Sequence, residues 1–412
     1  MSISKTADGI YKLTTNMEGI LFEGIWEMPH GVALNSYVVR GEKTAIIDGF
    51  CGWDGVPETF FKMLDEMEVD FEKLDYVIIN HIEPDHSGWI DEIKALKPDV
   101  EIICTKAAEN LLKAFYGEIG RIRTVRDDDV VDLGGGRRLI FYCIPNVHWP
   151  DAMVTFDEQS GALFTCDAFG SFGLVEGEGY DEALSPDKRV FYEREAVRYY
   201  ANIIATFSPF VKRAIEKCEK LPIKIIAPGH GIVWRKDPEK IIEDYRQYAS
   251  YASTPARREV VLIWGSMYGM TQLAVKRIIE TVEKSNVVFK VHQVPETSWG
   301  TVLASVLTAT GVILAMPTYE NKMFPPMAAV LDEIGKKKIQ DRIAFRTGSY
   351  GWSGGAEREL EAICDRHQIN WQFLPSVEFK GKPSEEELDI IEKSVIKMIK
   401  EIDRLFTEKT ID

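Results

Sequence analysis

Residues 75–86 read DYVIINHIEPDH, a short apolar run followed at once by four side chains able to bind a metal, His81, Glu83, Asp85 and His86. An apolar run of this length bounded by polar residues reads as a buried strand. Layered α/β folds place their sites at the carboxyl ends of such strands. Outward from this stretch the pattern repeats. NSYVVR (35–40), TAIIDGF (44–50), EIICT (101–105), RLIFYCIP (138–145), MVTFD (153–157), ALFTCD (162–167) and IKIIAPGHG (223–231) are strand-like. Helical stretches near 57–68, 88–96, 106–115 and 193–220 lie among them, which predicts a layered α/β domain.

Three more candidate ligands stand just past strand-like runs: His148 after residues 138–147, Asp167 after ALFTC, and His230 after IKIIAPG. Seven imidazoles and carboxylates from four strand ends are about what two metal ions need when one carboxylate bridges them. The donors are nitrogen and oxygen without thiolate, a set that suits iron, manganese or zinc and disfavours copper(I) or iron–sulfur clusters. A lone histidine beside a strand is usually a packed or surface residue, and His30, His292 and His367 are read that way. The same explanation would have to cover one tight motif and three strand-end residues together.

A Pro and charged residues at STPARR (253–258) make the best linker, dividing the chain into residues 1–253 and 254–412. Beyond it, strands EVVLIWG, VVFKVHQV, GVILAMP and RIAFRTG alternate with helices near 270–283, 327–336 and 357–366 and a final helix from about 384, the order of a doubly wound parallel sheet. Three loops follow strand ends. Ser266, Met267, Tyr268, Gly269, Met270 and Thr271 form a hydroxyl-rich turn opening a helix, which offers amide N–H groups and a positive dipole end to a terminal phosphate. The turn lacks G-x-G-x-x-G, so a mononucleotide fits better than a dinucleotide. Pro317, Thr318, Tyr319, Glu320 and Asn321 form the second loop, and Ser349, Tyr350, Gly351, Trp352, Ser353 and Gly354 the third. Their aromatics could pack on a planar ring while the glycines allow close backbone approach.

Composition narrows the partners. A net charge of −16 over 412 residues argues against nucleic acid. Six scattered cysteines without a C-x-x-C pair argue against a disulfide framework and against a rubredoxin or ferredoxin module within these residues. The first residues, MSISKTADGIYKL, lack the apolar core of a signal peptide, so a cytoplasmic location is expected. Residues 298–318 carry no charge, but Gly and Thr interrupt them, and they read as a helix followed by a strand rather than a membrane span.

H-x-E-x-D-H followed by His148, Asp167 and His230 resembles the metallo-β-lactamase fold, with Glu83 where the zinc hydrolases usually carry His. A carboxylate there makes the site harder and favours iron. Trp149-Pro150-Asp151 and APGHGIVW (227–234) resemble the flavodiiron proteins, and the three later loops resemble the flavodoxin pattern for FMN. The likeness runs from about residue 8 to 400, with Ser353 where the family often has Gly. It implies a metallo-β-lactamase-like αββα sandwich followed by a flavodoxin-like domain. It further implies FMN and two iron ions as cofactors, one iron held by His81, Glu83, His148 and Asp167, the other by Asp85, His86, His230 and Asp167. The implied activity is reduction of dioxygen to water, or of nitric oxide to nitrous oxide. Electrons would come from a separate donor, since no donor module follows residue 412: a reduced deazaflavin coenzyme or a rubredoxin. A head-to-tail homodimer, or a dimer of dimers, is implied as well. Two rivals are a zinc hydrolase, which Glu83 and a flavin domain oppose, and a pure electron carrier, which the complete ligand set opposes.

Overall fold

The computed structural model describes residues 2–52 and 55–408. The chain divides into two compact units, Met1–Arg246 and Gln247–Asp412, with the helix Pro238–Tyr251 running through the division.

Besides a short two-stranded sheet, Leu21–Phe22 with Trp26–Glu27, the first unit contains two large sheets. One has seven strands in the order Ser2–Ala7, Ile10–Met17, Val32–Arg40, Thr44–Ile47, Tyr76–Ile78, Glu101–Thr105 and Arg121–Val125. The first four pair antiparallel and the rest parallel. The other has five: Val130–Asp132, Arg138–Cys143, Met153–Asp157, Ala162–Cys166 and Ile225–Pro228. Strand alternation sends successive side chains to opposite faces, and both faces of the larger sheet are apolar. Tyr37, Val39, Ile47, Ile78 and Ile103 form a core cluster with Phe141, Met153, Phe164 and Ala227 of the second sheet. Their neighbours Leu34, Val38, Ile46, Val77 and Ile102 cluster with Phe60, Leu64, Trp89, Ile93 and Leu112 from the helices Glu58–Glu66, Ile90–Leu96 and Lys106–Tyr116 and their caps. This is the layered sandwich expected from the strand and helix pattern.

Four strands of the two large sheets escape that pattern: Ser2–Ala7, Ile10–Met17, Arg121–Val125 and Val130–Asp132. Ser2–Ala7 and Ile10–Met17 carry buried Ser4, Thr6, Lys12, Thr14 and Thr15, so no apolar alternation announces them. Hydrogen bonding permits the burial: Thr14 Oγ1 donates to Asn35 Oδ1 at 2.8 Å, and Lys12 Nζ to the Glu178 carbonyl at 2.8 Å.

The second unit is an all-parallel sheet in the order Val288–Gln293, Arg257–Trp264, Ala309–Ala315, Ile343–Tyr350, with Gln372–Phe373 and Val377–Lys380 both paired to the last. That is the flavodoxin-like strand order. The helices Met270–Glu283 and Glu385–Glu408 pack on one face through Ala274, Ile278, Val282, Ile391, Val395 and Met398. Residues 409–412, the end of the expected terminal helix, lie outside the described residues. The uncharged stretch 298–318 is the helix Trp299–Thr308 and the strand Ala309–Ala315. Among the described residues no helix is long and apolar enough to cross a membrane.

Candidate functional site

The strand Tyr76–Ile78 delivers the H-x-E-x-D-H loop, and local chemistry divides its donors into two sets. Asp48, buried between the sheets, accepts from Asn80 N at 2.7 Å and Asn80 Nδ2 at 3.1 Å, while Asn80 Oδ1 accepts from Thr155 Oγ1 at 2.7 Å. The strand end is thereby fastened to the second sheet. In extended chain His81 and Glu83 share a face. Pro84, at the first helical position, then starts the one-turn helix Pro84–Ser87. The change of backbone swings Asp85 and His86 to the other side.

His148, Asp167 and His230 converge on the same loop. Glu83 Oε2 lies 3.4 Å from His81 Nε2 and 3.0 Å from His148 Nε2, and Asp167 Oδ2 lies 3.4 and 3.2 Å from the same two nitrogens. On the other side, Asp167 Oδ1 is 3.0 Å from His86 Nε2 and 2.9 Å from His230 Nε2, and Asp85 Oδ2 is 3.5 and 3.3 Å from them. One carboxylate thus faces two donor sets, one with each oxygen. All seven sequence-predicted ligands are brought together.

The donor set fits two metal ions. Bonds of about 2.0–2.2 Å at right angles put neighbouring donors about 3 Å apart, which matches the spacing of 2.9–3.5 Å. His81 Nε2, His230 Nε2, Asp167 Oδ2 and both Asp85 oxygens are buried without a hydrogen bond. Orphaned polar atoms of this kind call for a partner. Charge points the same way. Burial pulls the imidazoles down, yet the facing carboxylates overcome it: Asp167 and Glu83 push His148 up to about 9, and Asp167 and Asp85 push His230 up to about 10. Against its own burial, Glu83 is held down to about 2 by His148 and His81. Without metal the pocket retains protons; metal cations replace them.

Two functional residues had weak signals or none. Asp151, in the Trp149-Pro150-Asp151 string, is wholly buried; its Oδ2 sits 3.1 Å from His81 Nδ1 and accepts from Ile82 N at 2.8 Å. A carboxylate on the far nitrogen fixes the tautomer that leaves Nε2 free to ligate. Its place three residues after His148 was the available signal. Tyr199, on the helix Pro186–Tyr199, donates its hydroxyl to Asp167 Oδ1 at 3.0 Å. Burial, then the Asp167 charge, raises the phenol far above its ordinary range, so it keeps its proton. Nothing in the sequence around Tyr199 marks it. Phe22 meets the His230 ring edge-on at 5.5 Å, and Trp149 meets His81 at 5.1 Å. A cleft of about 330 Å³ lined by Phe22, Glu23, Cys51, Gly52, Glu83, Pro84 and Asp85 leads to the donors. His30 is exposed and packs against Phe191 at 5.2 Å, away from both donor sets.

In the second unit the three strand-end loops enclose a cleft of about 390 Å³. Ser266, Met267, Tyr268, Met270, Pro317, Thr318, Tyr319, Glu320, Ser349, Tyr350, Gly351 and Trp352 line it, joined by Gly381, which sequence reasoning missed. Gly269, Thr271, Asn321, Ser353 and Gly354 are not among its lining residues. Gly269 caps the helix Met270–Glu283 at φ +85°, where glycine is favoured, and its N–H donates to Ser266 Oγ at 3.0 Å. Thr271 Oγ1 and Ser349 Oγ are 3.0 Å apart and bind the first loop to the third, while Ser353 Oγ bonds Asn321 Oδ1. A cleft of this volume with a helix N-terminus and hydroxyls at one end and exposed Tyr268, Tyr319 and Trp352 at its rim fits a planar ring carrying one phosphate.

Comparison with known proteins agrees. Residues 32–231 match the family model described as ODP family beta lactamase. The chain is 34% identical over 343 residues to an anaerobic nitric oxide reductase flavorubredoxin of Vibrio vulnificus, covering 82% of this chain and 67% of that protein. It is 30% identical over 360 residues to a nitric oxide reductase of Moorella thermoacetica, covering 87% and 88%. A solved flavo di-iron protein of Thermotoga maritima superposes with a TM-score of 0.87 at 28% identity, covering 97% of this chain and 99% of that one. The chain spans only about two thirds of the flavorubredoxins' length, 63–67% among the first of them. Sequence likeness over nearly the whole Moorella protein, a shared two-unit fold and the paired donor sets lead to one assignment: the chain belongs to the flavodiiron family of oxidoreductases.

Proposed function

We propose that this protein binds FMN in the second-unit cleft and two iron ions in the first, and uses them to reduce a small diatomic molecule with electrons from a separate donor. The observation that carries this reading is Asp167, whose two oxygens face two buried donor sets in a chain that also holds a phosphate-and-ring cleft. His81, Glu83, His148 and Asp167 would hold one ion, and Asp85, His86, His230 and Asp167 the other. Ser266 to Thr271 would receive the FMN phosphate, with the loops at 317–321 and 349–354 against the ring. When bound, the flavin supplies stepwise electron transfer and the iron pair supplies binding and reduction of the diatomic.

The chain's own side chains define the setting for that chemistry. Asp151 orients His81, and Tyr199 holds its proton on Oη against Asp167, where it orients the shared carboxylate. Phe22 and Trp149 cover the imidazoles with apolar rings and restrict water. Dioxygen would take four electrons and four protons to give two waters; two nitric oxide molecules would take two of each to give nitrous oxide and one water. The relatives named nitric oxide reductases support nitric oxide as an acceptor beside dioxygen. The donor is a reduced deazaflavin coenzyme or a rubredoxin. The acidic surface offers no attraction to an acidic redox protein and tilts the reading towards the coenzyme. A cytoplasmic, head-to-tail homodimer follows the family pattern, and the exposed Tyr268 and Trp352 beside the cleft are the apolar surface a partner subunit would cover.

Anaerobic reduction of the purified protein by each donor, followed by oxygen- and nitric-oxide-electrode assays, tests the reading. Turnover of either gas in protein containing about two irons and one FMN per chain supports it. Zinc in place of iron, or peroxide as the sole product, defeats it.

A further inference from the structure

Two arginines of the second unit are buried on neighbouring stretches of chain, and they are treated very differently. Arg342 is surrounded by backbone carbonyls: Tyr251 at 2.7 Å, Leu307 at 2.8 Å, and Thr254 and Val306 at 3.2 Å. Its role in tying chain segments together is fully accounted for. Arg346, 1% exposed in the strand Ile343–Tyr350, has no backbone carbonyl partner of this kind among the described residues. Its one charged partner among them is Glu378, whose Oε1 lies 2.5 Å from Nη2.

The other oxygen of Glu378 faces the cleft loop. A Cβ added at Gly354 would stand 3.0 Å from Glu378 Oε2. The carboxylate therefore lies between Arg346, in the strand that leads into the turn, and Gly354, at its return. Between those two points lie Ser349, Tyr350, Gly351 and Trp352, all of which line the cleft. Glu378 is also in register with Gly348, and three residues later Gly381 N donates to the Tyr350 carbonyl at 2.9 Å and lines the cleft itself.

With Arg346 buried and Glu378 half-buried, desolvation of the guanidinium offsets much of the attraction, and such a pair is a weak stabiliser that an apolar pair of similar volume can replace. The location supplies a different reason for it. We propose that the Arg346–Glu378 pair is a positioning device for the flavin loop, clamping the 349–354 turn from beneath so that its lining residues are held in place before FMN arrives. This rests on the FMN reading of the cleft. Preorganisation of this kind is felt in ligand affinity more than in fold stability.

The test is release of FMN from holoenzyme on dilution, followed by recovery of flavin fluorescence, with thermal unfolding measured in parallel. Arg346→Met combined with Glu378→Leu removes both charges and leaves no orphan. It should unfold within a few degrees of the wild type yet bind FMN about tenfold more weakly, a change of about 1.4 kcal/mol. Unchanged FMN affinity in this folded variant would overturn the proposal. Should the double variant not fold, Glu378→Gln decides. It keeps the side chain's shape at a position outside the cleft lining while removing the charge that holds Arg346, so weaker FMN binding in the folded variant supports the clamp and unchanged binding overturns it. Wild-type protein that holds no FMN would instead overturn the cofactor reading on which the clamp depends.

Discussion

Asp151 and Asp167 show how far single residues could be read. Asp167 stood out because a carboxylate after a strand completes a recognisable donor set, whereas the partner of a donor leaves no spacing of its own. Asp151 came to notice only as part of a resemblance string, and Tyr199 lies unmarked in a helix. Both act on ligand atoms through hydrogen bonds that only the fold brings together. Asp151→Asn keeps the size but can present an N–H to His81 Nδ1, favouring the wrong tautomer. Iron affinity should fall about 10- to 100-fold, read as iron retained after graded chelation, with FMN content unchanged. Equal retention in the variant and wild type would show that Asp151 does not orient His81. Tyr199→Phe removes the hydroxyl from Asp167 Oδ1 but no ligand. Iron content should persist while turnover of the diatomic falls, and loss of iron would assign Tyr199 to holding the site together instead.

At the scale of elements, periodicity was a sufficient guide wherever one face of an element is apolar. The helix Met270–Glu283 begins and ends where its pattern does, and the uncharged 298–318 stretch divides at Thr308 into helix and strand as its residues suggest. The N-terminal hairpin was illegible because one buried face of its second strand carries Lys12 and Thr14, whose polarity is satisfied by Glu178 and Asn35 from elsewhere in the chain. The short strand Val377–Lys380, which carries Glu378, was missed for a similar reason: a charged residue sits in four positions whose register comes from the neighbouring strand. Glycine in a strand has a cause that can be tested. A Cβ at Gly348 would lie 1.7 Å from the Met316 carbonyl oxygen, and backbone cannot move aside as a flexible side chain can. Gly348→Ala should therefore destabilise the second unit by at least about 1–3 kcal/mol and weaken FMN retention, while iron content stays at the wild-type level. A variant with unaltered unfolding temperature and FMN content would mean that the strands separate there at little cost.

The whole molecule combines two units with separate cores and separate cofactor chemistry, so its stability should be resolvable into two transitions rather than one. Ligand that binds only the folded form raises the transition of the unit it binds, which assigns each transition: chelation should lower one and FMN removal the other. The metal-free first unit should also show a pH dependence of definite sign. His148 and His230 have folded pKa values of about 9 and about 10, above the ordinary value of 6.5. Their contribution is fully present below pH 6.5 and disappears as pH rises through 9 and 10, because the deprotonated rings leave Asp167, Glu83 and Asp85 without counter-charge. Glu83 works in the opposite direction, its contribution present above 4.5 and lost as pH falls through about 2. The metal-free transition should therefore be highest between about pH 4.5 and 6.5 and decline steeply towards pH 10. With metal bound the imidazoles are neutral and their ligating nitrogens hold no proton that titrates in this range, so the loaded protein should lack that alkaline decline. Calorimetry of loaded and chelated protein from pH 5 to 10 measures both curves, and parallel curves would mean that the buried carboxylates are balanced by something other than metal ions or imidazole protons.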